Sequence, residues 1–167
     1  MKNIVLIGMM GCGKTTCAHL LGQKLGRPVV DTDALIVQRE GCPISDIFAT
    51  RGEAYFRDLE TAVAQELGRQ SGLIIATGGG LPLRPENMAA LSENGVVIWL
   101  NRNPADSFNT ESMSGRPLAR GSLADFVALC ERRAPVYDAA AHYIIHDFTN
   151  PETTVACVLK AVETGKK

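Results

Sequence analysis

Five short apolar runs punctuate the chain, at Asn3–Ile7 and at residues 28–30, 73–76, 96–100 and 142–146. Each is rich in Val, Ile or Leu, and most alternate little between apolar and polar positions. A strand that is apolar on both faces belongs in a parallel sheet covered by helices on each side. Between the runs lie stretches that predict helices: Lys14–Leu25, a short one after Asp33, a long one over 44–69 with Gly52 inside it, Pro85–Glu93, 123–137 and 151–163. Strands alternating with helices predict an α/β fold of three layers. The segment 103–122 breaks this rhythm. It carries Asn, Ser, Thr, Gly, Pro104 and Pro117 with weak apolar spacing, and reads as a functional lid or as a plain surface loop.

The chain has 167 residues, which predicts one domain at roughly 100–200 residues per domain. Hydrophobic residues make up 46% and charged residues 21%, a globular balance that excludes disordered and fibrous classes. A formal net charge of −1 leaves no general basic field for nucleic acid or for a membrane surface. No apolar run approaches the roughly 20 residues that span a bilayer. The run ending at Gly8 is too short for a signal peptide and reads as a first strand. Cys12, Cys17, Cys42, Cys130 and Cys157 are odd in number and form no C-x-x-C pair, and the three His are scattered. Free thiols in a reducing cytoplasm fit this better than a disulfide frame or a zinc site. The expectation is a cytoplasmic monomer that binds neither nucleic acid nor membrane.

Gly8-Met9-Met10-Gly11-Cys12-Gly13-Lys14-Thr15 matches the phosphate-binding P-loop pattern G-x-x-x-x-G-K-[ST], placed after a predicted strand and before a predicted helix. The glycines let backbone N–H groups curl around phosphate oxygens, and the helix start adds the positive end of its dipole. In such a loop Lys14 reaches the β- and γ-phosphates and the Thr15 hydroxyl ligates Mg²⁺. The nucleotide cradle is expected from Gly11, Cys12, Gly13, Lys14, Thr15 and Thr16. A dinucleotide-binding reading fails because Thr16 stands where a third glycine is needed. Neither the guanine-reading N/T-K-x-D nor the protein-kinase signatures V-A-I-K and H-R-D occur. A small-molecule kinase remains. Cys12, at an electropositive helix start, reads either as a reactive thiol that nucleotide would protect or as an inert filler.

Acceptor-site candidates fall at predicted strand ends, where open α/β sheets bind ligands. Asp31-Thr32-Asp33 ends the second strand and could serve metal and substrate, or simply cap a helix. Gly78-Gly79-Gly80 ends the third and could offer bare N–H groups, or be a tight turn. Arg57, four residues after Glu53 and three before Glu60, reads on spacing as part of a solvated ion-pair face. Arg132-Arg133 sits late in a predicted helix, where cations suit the dipole.

Taken together, these elements resemble the shikimate kinase family. The matching residues are the P-loop, Asp31-x-Asp33, Gly52-Glu53-x-x-Phe56-Arg57-x-x-Glu60, Gly78-Gly79-Gly80, Gly115-Arg116-Pro117-Leu118 and Arg133-Ala134-Pro135-x-Tyr137. The resemblance implies a three-layer P-loop kinase fold, five parallel strands in the order 2-3-1-4-5, and a mobile lid over about 103–122. It also implies ATP and Mg²⁺, with phosphate passing to the 3-hydroxyl of shikimate. By the same resemblance Lys14, Asp33 and Arg116 are catalytic, and Arg116 also touches the nucleotide. Asp33, Arg57, Gly79, Gly80 and Arg133 hold shikimate, and Thr15 and Asp31 serve the metal. Asn109 stands where members often carry an arginine against adenine, and Thr149 where a second basic residue often precedes Asn-Pro. The other readings are a gluconate kinase of the same fold and a nucleotide-binding regulatory protein without turnover.

Overall fold

The computed structural model describes residues 1–108 and 121–165. Strand β1 (Asn3–Ile7) leads through the glycine-rich loop into α1 (Lys14–Leu25). β2 (Val29–Asp31) passes directly into α2 (Thr32–Glu40), followed by α3 (Ile44–Arg51) and α4 (Glu53–Gly68). β3 (Ile74–Ala76), a 3-10 turn (Leu81–Leu83) and α5 (Pro85–Glu93) come next. β4 (Gly95–Leu100), α6 (Pro104–Phe108), α7 (Leu123–Ala140), β5 (Tyr143–Ile145) and α8 (Pro151–Thr164) complete the described chain. All strand pairs are parallel, in the order β2-β3-β1-β4-β5. This is the order the resemblance implied.

β1 explains why apolar runs without alternation make a covered sheet. Its successive side chains point to opposite faces. Ile4 and Leu6 enter one core with Leu21 of α1 and Val155 and Val158 of α8. Val5 and Ile7 enter another with Val63 of α4, Leu91 of α5 and Tyr137 of α7. Both faces are buried, so Ile4 to Ile7 are all apolar, and the one polar residue of the strand, Asn3, is buried with its side chain bonded to Gln70 O and Leu73 N. No helix among the described residues is long and apolar enough to cross a membrane.

Two expectations need correction. The stretch 44–69 is two helices, because Gly52 adopts φ 87° and ψ 167° between α3 and α4, a conformation that ends one helix and restarts the next. The segment 103–122 is not irregular throughout. Pro104 opens the short α6, whose Phe108 ring lies 5.5 Å from the Phe126 ring of α7. Parallel pairing brings the carboxyl ends of all strands to one edge, so the loops after β1, β2, β3 and β4 converge there.

Candidate active site

The loop after β1 turns on Gly8, Gly11 and Gly13, with φ of 147°, 76° and 97°. Gly13 caps α1 without a side-chain hydrogen bond, which leaves the first N–H groups of the helix open at its positive end. Lys14 is buried, and its Nζ donates to Gly8 O at 2.6 Å and Met9 O at 2.9 Å. The ammonium is thus held over the loop by two carbonyls. Thr15 and Thr16 are exposed beside it. Cys12 is turned inward: it is 2% exposed, packs in the core with Ala18 and Leu21, and keeps its Sγ 3.7 Å from Lys14 Nζ. Its N–H makes a 3.3 Å turn bond to Met9 O. The reactive-thiol reading is therefore at odds with the burial of the side chain.

Asp31 caps a helix, as one of its two readings had it, and its second oxygen meets Thr15. Oδ1 accepts from Ala34 N at 3.1 Å and caps α2, while Oδ2 accepts from the Thr15 hydroxyl at 3.0 Å. Hydroxyl and carboxylate oxygens side by side are hard donors of the kind Mg²⁺ takes through one or two protein oxygens. These residues fit that ion.

Next to the P-loop opens a cavity of about 550 Å³. Asp33, Arg57, Gly79, Gly80 and Arg133 all line it, together with Glu60, so the expected acceptor residues from four separate elements meet in one place. The Asp33 carboxylate lies so close to Gly78 that a Cβ there would collide with it. Arg57 does not belong to a solvated face: it is 9% exposed, and Nη1 donates at 2.6 Å to Glu60, which is 0% exposed. Only Glu53, 3.1 Å from Nη2, reaches solvent. Burial pushes the Glu60 carboxyl up to about 7 against the pull of Arg57, and Glu60 Oε2 is buried without a hydrogen-bond partner among the described residues. Arg133 is 4% exposed, and its Nη1 is likewise buried with no hydrogen-bond partner among the described residues, whereas Arg132 is exposed. A buried guanidinium with an open donor is costly unless something anionic completes it.

A smaller cavity of about 160 Å³ lies on the other side of the P-loop, where Gly13 and Thr16 face Arg102, Phe148, Asn150 and Pro151. Thr149 does not project there as a cation would; its N–H and hydroxyl both donate to Asp147 Oδ1, at 3.0 and 2.8 Å. Arg116, Gly115 and Asn109 lie outside the described residues.

Three residues at the site were given no role by the sequence reading, although Glu60 and Tyr137 stood in its motifs. Glu60 is a buried partner rather than a surface charge. Arg102 reaches from the end of β4 to donate to Gly11 O at 3.3 Å. Tyr137 O–H donates to Gly79 O at 2.6 Å. For Glu60 a signal existed. Positions 60, 64 and 67 follow helical spacing, and Ala64 and Leu67 belong to the apolar face of α4.

A family model described as shikimate kinase matches residues 10–163. A shikimate kinase of Dehalococcoides mccartyi is 43% identical over 146 residues, covering 86% of this chain and 83% of that protein. One of Symbiobacterium thermophilum is 41% identical over 172 residues, covering 99% of each. The solved shikimate kinase from Acinetobacter baumannii in complex with shikimate superposes with a TM-score of 0.92 at 31% identity, over 99% of this chain and 95% of that one. A gluconokinase from Sinorhizobium meliloti, at 13% identity and TM-score 0.60, covers 98% of this chain and 92% of its own and shares the fold alone.

Proposed function

The chain belongs to the shikimate kinase family, and from that premise we propose how its residues divide the transfer of the γ-phosphoryl group of ATP to the 3-hydroxyl of shikimate. The single observation that carries the reading is the pair of buried guanidinium groups, Arg57 and Arg133, in one cavity, with Arg133 Nη1 left without a hydrogen-bond partner among the described residues. Planar forks of this kind match a carboxylate. Shikimate supplies one.

With the carboxylate clamped there, the ring hydroxyls fall towards Asp33, which accepts from them and takes the proton of the attacking oxygen. Gly79 and Gly80 offer backbone N–H groups. The N–H groups at the start of α1, from Gly13 to Thr16, cradle the phosphates of ATP. Lys14 exchanges its two carbonyl acceptors for phosphate oxygens. Thr15 and Asp31 would hold Mg²⁺, which when bound would neutralise charge on the phosphates. The 160 Å³ cavity beside Thr16 takes the nucleoside end. Arg116, outside the described residues, is assigned by the family resemblance to the transferred phosphate. Phosphoryl transfer needs positioning and charge stabilisation more than covalent help, and this set supplies both. Both substrate sites are built from this one chain, which supports a single kinase domain working as a monomer.

A coupled assay of ADP release with shikimate, with gluconate and without acceptor tests the reading. Release that requires shikimate and Mg²⁺ supports it. Equal release in all three conditions, or none, contradicts it.

A further inference from the structure

We propose that Arg102 is a nucleotide-binding residue: its guanidinium lies face-on against the base of the phosphate donor, in the cavity of about 160 Å³ beside Thr16. This rests on the reading above that this cavity takes the nucleoside end.

Arg102 is the second residue after β4. The end of that strand is pressed against the P-loop: a Cβ on Gly8 would lie 2.7 Å from Leu100 O. The chain is anchored on either side of Arg102. Asn101 N–H donates to Ile145 O at 3.0 Å, and Asn103 Oδ1 accepts from Ala105 N at 2.9 Å as α6 begins. The Arg102 side chain is half-buried, and it lines the cavity together with Gly13 and Thr16 of the P-loop and the start of α1.

A guanidinium carries five N–H donors and a permanent charge. Among the described residues Arg102 donates once, from Nη1 to Gly11 O at 3.3 Å, and takes part in no ion pair. It is the one charged residue among those that line this cavity. The loop before α8 brings no second cation, because no Lys or Arg stands between Arg133 and Lys160. That loop contributes Phe148, Asn150 and Pro151. Its polar groups are spent on α8: Asn150 Oδ1 accepts from Thr153 N at 2.8 Å, and the Thr154 hydroxyl donates to Asp147 O at 2.9 Å. Cys12 and Cys17 complete an apolar lining. Apolar walls disfavour a phosphate and suit a flat, uncharged ring. A cation set against the face of such a ring is attracted by its π electrons. One cation in an apolar slot that opens on the phosphate cradle therefore fits the base of a nucleoside triphosphate.

Arg102→Met keeps the length and apolar stem of the side chain and removes the charge. The KM for ATP should rise about fivefold, the scale of a cation on an aromatic face near the surface. The KM for shikimate, kcat at saturating ATP and inhibition by inorganic tripolyphosphate should stay within about twofold, and Arg102→Lys should recover most of the loss. An arginine that merely braced the P-loop through Gly11 O would, on removal, weaken tripolyphosphate as much as ATP. That result overturns the proposal, as does an unchanged KM for ATP in folded Arg102→Met. In the wild-type protein, the Arg102 Nε–H should move upfield in ¹H–¹⁵N spectra when ADP is added, shielded by the ring, and stay in place with tripolyphosphate. A signal that stays put or moves downfield while calorimetry shows ADP bound overturns the face-on contact, whether or not the variant folds. A wild-type protein that binds neither ATP nor ADP overturns the functional reading, and this proposal with it.

Discussion

Arg57 Nη1 donates to Glu60 Oε1 across 2.6 Å, with both side chains buried in the wall of the acceptor cavity. On the proposed reading, the pair sets two carboxylates in competition for one guanidinium: Glu60, always present, and the acceptor's, present only in the complex. Asp33 and Arg133 face the same space and act on Glu60 in opposite senses, Asp33 raising and Arg133 lowering its proton affinity.

The first prediction follows from that competition. Glu60 titrates from 4.5 when free to about 7 in the fold, pushed up by burial. Its contribution to stability is therefore full below about 4.5 and is lost as pH rises through about 7. Protonated Glu60 releases Arg57 to the acceptor, so shikimate should bind about three- to tenfold tighter at pH 6 than at pH 8, with proton uptake. Calorimetry in two buffers of different ionisation enthalpy measures this directly. Glu60→Gln should flatten the dependence; a profile as steep as the wild type's would place the titrating group elsewhere.

The carboxylate clamp gives the second. Arg57→Ala and Arg133→Ala should each weaken shikimate binding by about 10- to 150-fold, the loss of a hydrogen bond to a charged group, while ATP binding changes little. Arg133→Lys should also weaken it, because an ammonium cannot form the planar fork. Titration of both ligands against each variant checks the split. Full shikimate affinity in Arg133→Ala would remove the clamp from the account.

Buried thiols give the third. Cys12 and Cys17 are enclosed, and burial pushes the Cys17 thiol up to about 12. Cys42 and Cys157 are half-buried. Alkylation followed by mass spectrometry should label Cys42 and Cys157 well before Cys12, with or without ATP. Rapid labelling of Cys12 that ATP abolishes would show the loop opening its thiol to solvent and restore the reactive reading.

The fourth concerns Arg116, on the strength of its Gly-Arg-Pro-Leu setting in the sequence. Arg116→Ala should lower kcat by about 10³, the lower end for an arginine that stabilises a transferring phosphoryl group, because Lys14 and the metal remain. Shikimate affinity without nucleotide should hardly change. A kcat within threefold of the wild type's would reject a catalytic role.

How much of this could be read in the chain depends on how local each feature is. The P-loop is eight consecutive residues whose spacing is its chemistry, so it was legible outright. Asp31 drew two readings, helix cap and metal partner; the structure bears out the cap through Oδ1, while Oδ2 accepts from Thr15, a division that sequence cannot make. Arg57 and Glu60 were misread on spacing as a solvated pair because i,i+3 charges usually face water; the apolar residues three and four positions on, Val63 and Ala64, were the overlooked sign that this face of α4 is turned inward. The break at Gly52 needed a backbone angle that no periodicity reports. Tyr137 and Gly79 lie 58 residues apart and meet only through the packing of α7 on the sheet. Motif order supplied the strand order; the apolar runs alone predicted a parallel sheet with no sequence of neighbours.

The central claim is that this chain moves phosphate from ATP to one particular hydroxyl of shikimate, because the carboxylate clamp fixes which hydroxyl meets Asp33 and the P-loop. ³¹P NMR of a reaction with ATP, Mg²⁺ and shikimate tests it most directly. The account predicts a new phosphomonoester signal coupled to the ring proton at C3, formed at the rate ATP disappears. Phosphate on another hydroxyl, or inorganic phosphate as the sole new signal, would contradict it.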